Sequence, residues 1–214
     1  MKLAPEGSII IYPLTITWVL GIIAVYVYSW DSLYIVSGVL SILLIFCLNF
    51  FRDPKRIVSK QDNLILSPAD GKIIKISDFE DPKSGEKLKL ISIFLSVFNV
   101  HVNRIQIAGK IEAKRSNKGK FLNAANHKAS LDNEQNAILL NNGSVKILVK
   151  QIAGLIARRI VCYAKEGDDY QLGQRFGLIR FGSRTDIFVP EGTELKVKKD
   201  DIVSGGSSII GYLK

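Results

Sequence analysis

Cysteine and histidine are scarce in this sequence, with two of each in 214 residues, and that scarcity removes whole classes of chemistry. Cys47 falls inside a long apolar run and Cys162 in Ile160-Val161-Cys162-Tyr163, so neither has an evident partner. The sequence therefore offers no disulfide framework and no metal-ligand cluster, and it suits a reducing cytoplasmic face. Also missing are a glycine-rich phosphate loop of the usual kinds, an internal repeat of solenoid length and the Gly-x-Ser-x-Gly elbow of many serine hydrolases. Charge is absent from two stretches, Ile9 to Tyr28 and Leu33 to Phe51. Each is long enough to cross a hydrocarbon core of about 30 Å at about 1.5 Å per residue.

Only Ser29-Trp30-Asp31-Ser32 separates the two apolar stretches, which predicts a tight helical hairpin over residues 1–51. Lys2 precedes the pair, Arg52, Lys55 and Arg56 follow it, and Asp31 lies in the tip; that distribution places both ends on the cytoplasmic side of the cell membrane. A cleaved signal peptide is disfavoured because the first segment is long, starts without a strong basic region and is followed at once by a second. Nearly all the charge lies in residues 52–214, where 28 basic side chains face 18 acidic ones. Such an excess beside an anchor favours an anionic membrane surface. No nucleic-acid motif accompanies it, so nucleic acid is not the expected partner.

The region 52–214 reads as one catalytic-sized domain of mainly β (α+β) class. Strand patterns occur at Lys72 to Ile76, Lys87 to Leu95, Val145 to Ile152, Ile160 to Ala164, Gly177 to Phe181, Asp186 to Val189 and Ser208 to Leu213. Turn signals such as Asn141-Asn142-Gly143 and Pro190-Glu191-Gly192 separate them. The stretch from Val189 to Gly205 resembles the barrel-sandwich layout of biotinyl and lipoyl carriers without a carrier-type lysine hairpin, so it is read as architecture. Ala113 to Asn136 is the longest polar segment and reads as a loop; Lys118 and Lys120 within it are candidates for contact with a lipid headgroup or bilayer surface.

Gly182-Ser183 carries the sharpest chemical signal. Gly-Ser is a common turn, but a serine hydroxyl after glycine can also attack the preceding carbonyl, and the resulting ester can eliminate to leave a pyruvoyl group. Glycine leaves that carbonyl open and the backbone free to strain. The hydroxyl needs a base with an orienting partner. Of the two histidines, His127 sits in a polar stretch, whereas His101 lies in Ser96 to Arg104, directly after the strand-like run Leu88 to Leu95. A histidine there is commonly a half-buried structural residue, yet it is also the better candidate base. Asp70, in Ser67-Pro68-Ala69-Asp70-Gly71, is either a hairpin corner or a carboxylate aimed from a rigid turn.

Taken with Phe50-Phe51-Arg52-Asp53-Pro54, Phe98-Asn99-Val100-His101-Val102-Asn103-Arg104, Gly119-Lys120-Phe121-Leu122-Asn123-Ala124, Gln151-Ile152-Ala153-Gly154 and Arg175-Phe176-Gly177, these motifs resemble the short form of phosphatidylserine decarboxylase, in register over nearly the whole chain. The resemblance implies a proenzyme that cuts itself between Gly182 and Ser183 into chains 1–182 and 183–214, with Asp70, His101 and Ser183 as the processing triad. It further implies a covalent pyruvoyl cofactor made from Ser183, which forms a Schiff base with the serine amine of phosphatidylserine and yields phosphatidylethanolamine and carbon dioxide. A homodimer of processed heterodimers is implied as well. One departure stands out: the better-known long form has a second histidine three positions before the triad histidine, and Phe98 stands there in this chain. His101 is then the first candidate for the proton donor in decarboxylation. Two other classes are weighed beside this one, a membrane-tethered serine hydrolase using Ser183, His101 and Asp70, and a non-enzymatic basic membrane-binding module.

Overall fold

The structure, a computed structural model, describes residues 2–59, 61–82, 84–117, 119, 133–154, 159–180 and 182–213. By internal contacts the chain divides into two compact units, Met1–Lys55 and Arg56–Lys214.

The first unit contains β1 (Lys2–Leu3), α1 (Ser8–Tyr28), α2 (Asp31–Phe50) and β2 (Arg52–Asp53). Both helices are long and apolar enough to cross a membrane. Helix α1 stops where Ser29 takes the left-handed conformation (φ 49°). Helix α2 starts at Asp31, two residues before the apolar run, because an acidic side chain suits the positive N-terminal end of a helix. Trp18 Nε1 donates to Ser41 Oγ across the pair at 2.7 Å, and Ser41 Oγ donates to the Ser37 carbonyl at 2.8 Å. Antiparallel pairing of β1 with β2 sets Lys2 opposite Asp53 and Leu3 opposite Arg52, so the two ends of the hairpin lie side by side.

The second unit is built of strands: β3 (Leu64–Leu66), β4 (Gly71–Glu80), β5 (Lys87–Leu95), β6 (Val102–Arg104), β7 (Gly109–Asn117), β8 (Gln135–Asn141), β9 (Lys146–Ala153), β10 (Ile160–Cys162), β11 (Asp169–Tyr170), β12 (Arg175–Ile179), β13 (Ser183–Pro190), β14 (Glu194–Leu195), β15 (Ile202–Val203) and β16 (Ile209–Tyr212). Eight form one antiparallel sheet in the order β11-β7-β8-β9-β13-β5-β4-β15, curled into a half-barrel, and two three-stranded sheets, β10-β12-β6 and β14-β16-β3, complete the unit. The mainly β class with an apolar helical pair is thus what the chain adopts. Both ends of the expected Ala113–Asn136 loop are strand instead, since β7 runs on to Asn117 and β8 begins at Gln135, where strand pairing buries part of the polar face.

Period-two alternation explains the core. Ile187 and Val189 on β13, Ile91 and Ile93 on β5, Ile147 and Val149 on β9 and Ile138 and Leu140 on β8 all point inward and are fully or almost fully buried. Each contributes about 1.5–3 kcal/mol through its apolar surface. The opposite face of β13 carries a buried ion pair, Arg184 Nε to Asp186 Oδ1 at 2.9 Å, with side chains only 3% and 2% exposed. Burial pushes the Asp186 carboxyl above the usual carboxylate range, and the Arg184 charge opposes that rise. Substituting Asp186 by alanine strips Arg184 of its carboxylate inside the fold. We expect a loss of roughly 3–5 kcal/mol, or about 6–20 °C in melting temperature, measurable by a thermal melt of the Asp186→Ala chain in detergent.

Candidate active site

Strand β13 lies between β5 and β9, and its first residue, Ser183, pairs with Leu95 on one side and Ala153 on the other. Ser183 is completely buried, and its Oγ has no hydrogen-bond partner among the described residues. An unpartnered buried hydroxyl costs about 1–3 kcal/mol, an outlay that a purely structural position would avoid. Gly182, just before it, has φ +70°. A Cβ there would meet only Val97, at 4.0 Å, so conformation and not crowding calls for glycine. Any other L-residue would carry roughly 1–2 kcal/mol of strain in that backbone.

His101 is delivered by the loop between β5 and β6. Asn99 Oδ1 accepts from the Ser96 backbone N–H at 2.9 Å and from Ser96 Oγ at 2.8 Å, which closes a side-chain turn before the histidine. The Ile179 N–H donates to the His101 carbonyl at 3.2 Å and locks the residue against the end of β12. The imidazole is fully buried. Its Nδ1 lies 2.9 Å from the Asn99 carbonyl oxygen, and the Gly182 N–H donates to Nε2 at 3.3 Å. A carbonyl only accepts and a backbone N–H only donates, so these contacts assign the neutral tautomer with the proton on Nδ1 and the lone pair on Nε2. That lone pair faces the Gly182-Ser183 peptide.

Asp70 sits in the turn that leads into β4, where its two oxygens lie 2.7 and 2.8 Å from Arg56 Nη2 and Oδ1 also accepts from the Gly205 N–H at 2.8 Å. The structure thus brings His101 to Gly182-Ser183, while the hydrogen bonds of Asp70 go to Arg56 and Gly205. The same turn does reach the histidine strand, because the Arg104 N–H donates to the Pro68 carbonyl at 2.9 Å. Continuing the β4–β5–β13 register sets Asp70 level with the Gly182-Ser183 bond two strands away, about 10 Å across the sheet.

Two contributors escaped the sequence reading. Arg56 had been counted among the cations flanking the apolar run, and the Asn99 carbonyl is a backbone group without a sequence signature. Phe98, at the position of the long form's second histidine, is 67% exposed. Lys118, Lys120 and His127 lie outside the described residues. Among the described residues no group of three or more His, Cys, Asp or Glu side chains is placed to hold a metal ion.

Comparison with known proteins decides between the classes left open by the geometry. The family model described as phosphatidylserine decarboxylase matches residues 43–211. The phosphatidylserine decarboxylase proenzyme of Chlorobium phaeobacteroides is 48% identical over 172 residues, covering 80% of this chain and 81% of that protein. The proenzyme of Wolbachia pipientis is 50% identical over 173 residues, 78% of this chain and 75% of its own. That of Geotalea uraniireducens is 45% identical over 173 residues, 80% and 81% of the two chains.

This chain belongs to the phosphatidylserine decarboxylase family. It is a decarboxylase. The match begins within α2 and ends at Gly211, one residue before the end of β16, so it takes in the strand framework that holds Gly182, Ser183, His101 and Asp70.

Proposed function

We propose that this chain cuts its own backbone between Gly182 and Ser183, converts Ser183 to a pyruvoyl group, and uses it to turn phosphatidylserine into phosphatidylethanolamine and carbon dioxide. The observation that carries the reading is the buried Ser183 hydroxyl, without a partner among the described residues, next to a glycine whose N–H meets the unprotonated nitrogen of His101. The unprotonated nitrogen of His101 is directed at the Gly182-Ser183 peptide itself, which favours attack of the hydroxyl on its own backbone over attack on an external ester.

In this proposal His101 Nε2 takes the Ser183 hydroxyl proton as Oγ adds to the Gly182 carbonyl carbon. The C–N bond breaks, the proton passes to the nitrogen of residue 183, and Gly182 is left esterified to Oγ. Loss of the Cα proton with cleavage of Cβ–Oγ then frees the Gly182 carboxylate. The dehydroalanine that remains takes up water and releases ammonia, leaving the pyruvoyl ketone. Chains 1–182 and 183–214 result. That ketone supplies an electron sink for decarboxylating an α-amino acid headgroup without any separate cofactor. His101, kept beside residue 183 by the Asn99 and Ile179 contacts, is the group proposed to return a proton to the headgroup carbon.

Asp70 enters as the charge that stabilises the imidazolium once His101 has accepted its proton. In the structure that charge is shared with Arg56, so removing each partner is expected to act in opposite directions. Asp70→Ala should slow self-cleavage by at least about tenfold, whereas Arg56→Ala should leave it unchanged or faster. Timed gel analysis of freshly synthesised chains measures both.

The helical pair is proposed to anchor the chain in the cytoplasmic membrane with residues 52–214 on the cytoplasmic side. Its two ends lie together at the β1–β2 pairing and carry Lys2, Arg52 and Lys55, in keeping with that orientation. The direct test of the whole reading supplies purified chain with vesicles of phosphatidylserine labelled in the serine carboxyl carbon. Labelled carbon dioxide and a stoichiometric gain of phosphatidylethanolamine are expected, both abolished by prior treatment with a carbonyl reagent such as phenylhydrazine. Turnover that survives that treatment would sink the pyruvoyl assignment.

A further inference from the structure

The inward face of the large sheet changes character one step before the scissile serine. Along β13 the side chains at Val189 and Ile187 are apolar, but the next on that face is Thr185, followed by Ser183. Thr185 is paired with Gln151 on β9, Gln151 with Asn136 on β8, and Asn136 with Ser116 on β7. A row of polar residues therefore crosses four strands at one level. Asn136, Gln151 and Thr185 are buried, at 4%, 0% and 0% exposure.

These side chains are joined end to end. Ser116 Oγ donates to Asn136 Oδ1 at 2.8 Å, and Asn136 Nδ2 donates to Gln151 Oε1 at 3.0 Å. Gln151 Nε2 then leaves the row and donates to Asn103 Oδ1 at 2.7 Å, on β6 of the facing three-stranded sheet. Asn103 Nδ2 returns to the row and donates to Thr185 Oγ1 at 3.4 Å. Asn103 is itself completely buried. Space for the Gln151 amide exists because residue 177, opposite Asn103 on β12, is glycine: a Cβ there would lie 2.9 Å from Gln151 Nε2 and 2.3 Å from the Val161 carbonyl oxygen.

The spacing gives this linkage its meaning. Asn103 lies on β6 two residues after His101, which immediately precedes that strand, and Thr185 follows Ser183 by two on β13. Side chains two apart on a strand point to the same side, about 6.8 Å from each other, so Thr185 and Ser183 share a face of β13. The Asn103–Thr185 bond thus joins β6, into which His101 leads, to β13, which Ser183 opens, two residues in sequence from each half of the site.

We propose that Gln151, Asn103 and Thr185 form a positioning bridge that sets the distance between the His101 imidazole and residue 183. Gln151 fixes the Asn103 amide so that its NH₂ points at Thr185, and Thr185 fixes the start of β13. After cleavage Asn103 and Thr185 belong to different chains, so the bridge also holds the new terminus of chain 183–214 against His101. This inference rests on the self-cleavage reading above.

The test times self-cleavage of the full chain made by cell-free synthesis into nanodiscs, comparing wild type, Asn103→Leu, Thr185→Val and Thr185→Ser, with His101→Ala as a control. Asn103→Leu, similar in size but unable to hydrogen-bond, should cleave at least about tenfold more slowly. Thr185→Val should slow cleavage several-fold, and Thr185→Ser, which restores the hydroxyl, should return it to within about twofold of wild type. Should Asn103→Leu fail to fold, the Thr185 pair decides alone. Wild-type rates in Asn103→Leu and Thr185→Val would overturn the bridge, as would a Thr185→Ser chain as slow as Thr185→Val, because the lost methyl packing would then be the cause. Failure of the underlying reading looks different: the wild-type chain stays whole, or His101→Ala cleaves as fast as wild type.

Discussion

A chain carrying Ser183→Ala is expected to remain a single polypeptide of full mass and to release no carbon dioxide from phosphatidylserine, while wild type separates into chains 1–182 and 183–214. The smaller wild-type chain should lack a free amino terminus, and its mass should reflect loss of ammonia from the serine. In the proposed chemistry removing one oxygen atom has this reach because Oγ would be the attacking atom and its carbon skeleton would become the ketone, with no neighbouring group to replace either. The folded state should tolerate the change well. Ser183 Oγ has no partner among the described residues, so alanine removes an uncompensated polar atom and leaves no donor stranded. We therefore expect the Ser183→Ala melting temperature to equal or exceed that of unprocessed wild type. That combination of no cleavage, no turnover and undiminished stability separates a sacrificed serine from a structural one. A Ser183→Ala chain that still breaks at residue 182, or still decarboxylates, would remove the basis of the proposed chemistry.

Much of the strand framework was legible because its inward rows are apolar. The alternation in Lys87 to Leu95 marks β5 to the residue, and the apolar pattern of Asp186 to Val189 locates the second half of β13. Strands β7 and β8 stayed hidden for a physical reason. On β7 the outer positions carry Arg115 and Asn117 and the inner ones Lys114 and Ser116, so a test based on hydrophobic period sees only a polar stretch, and on β8 the start at Gln135 and Asn136 is polar on both faces before the apolar run Ala137 to Leu140. The start of β13 was missed for the same reason, since Ser183, Arg184 and Thr185 are all polar and all buried.

At the site, residue chemistry singled out Ser183, His101 and Asp70, but it could not supply their partners. The imidazole tautomer is set by the Asn99 carbonyl, and every residue has a carbonyl. The Asp70 charge is matched by Arg56, whose position after an apolar run fits a membrane-flanking cation equally well. Buried amides such as Gln151 and Asn103 look like surface residues until the strands that bury them are paired. Regions where polar side chains face inward are where sequence pattern and function part company.

Replacing His101 by alanine should slow self-cleavage by about 10²–10⁴-fold, the usual worth of a positioned general base. Two features of the geometry place the effect at this residue. Nε2 is the unprotonated nitrogen and already meets the Gly182 N–H, and both His101 and Ser183 are fully buried, which leaves the imidazole as the base held at that peptide. Asn99→Ala provides the contrast. It removes the side-chain turn with Ser96 but keeps the backbone carbonyl that holds Nδ1–H, so the tautomer survives and slowing should stay below about tenfold. Chains labelled in a short pulse and followed by gel for hours resolve both rates. His101→Ala should accumulate as intact proenzyme, and any fraction that does mature should decarboxylate slowly as well, because the same imidazole is assigned the later proton return. Full-speed turnover by matured His101→Ala protein would confine the histidine to processing and would require another proton donor, for which Phe98 has no suitable group.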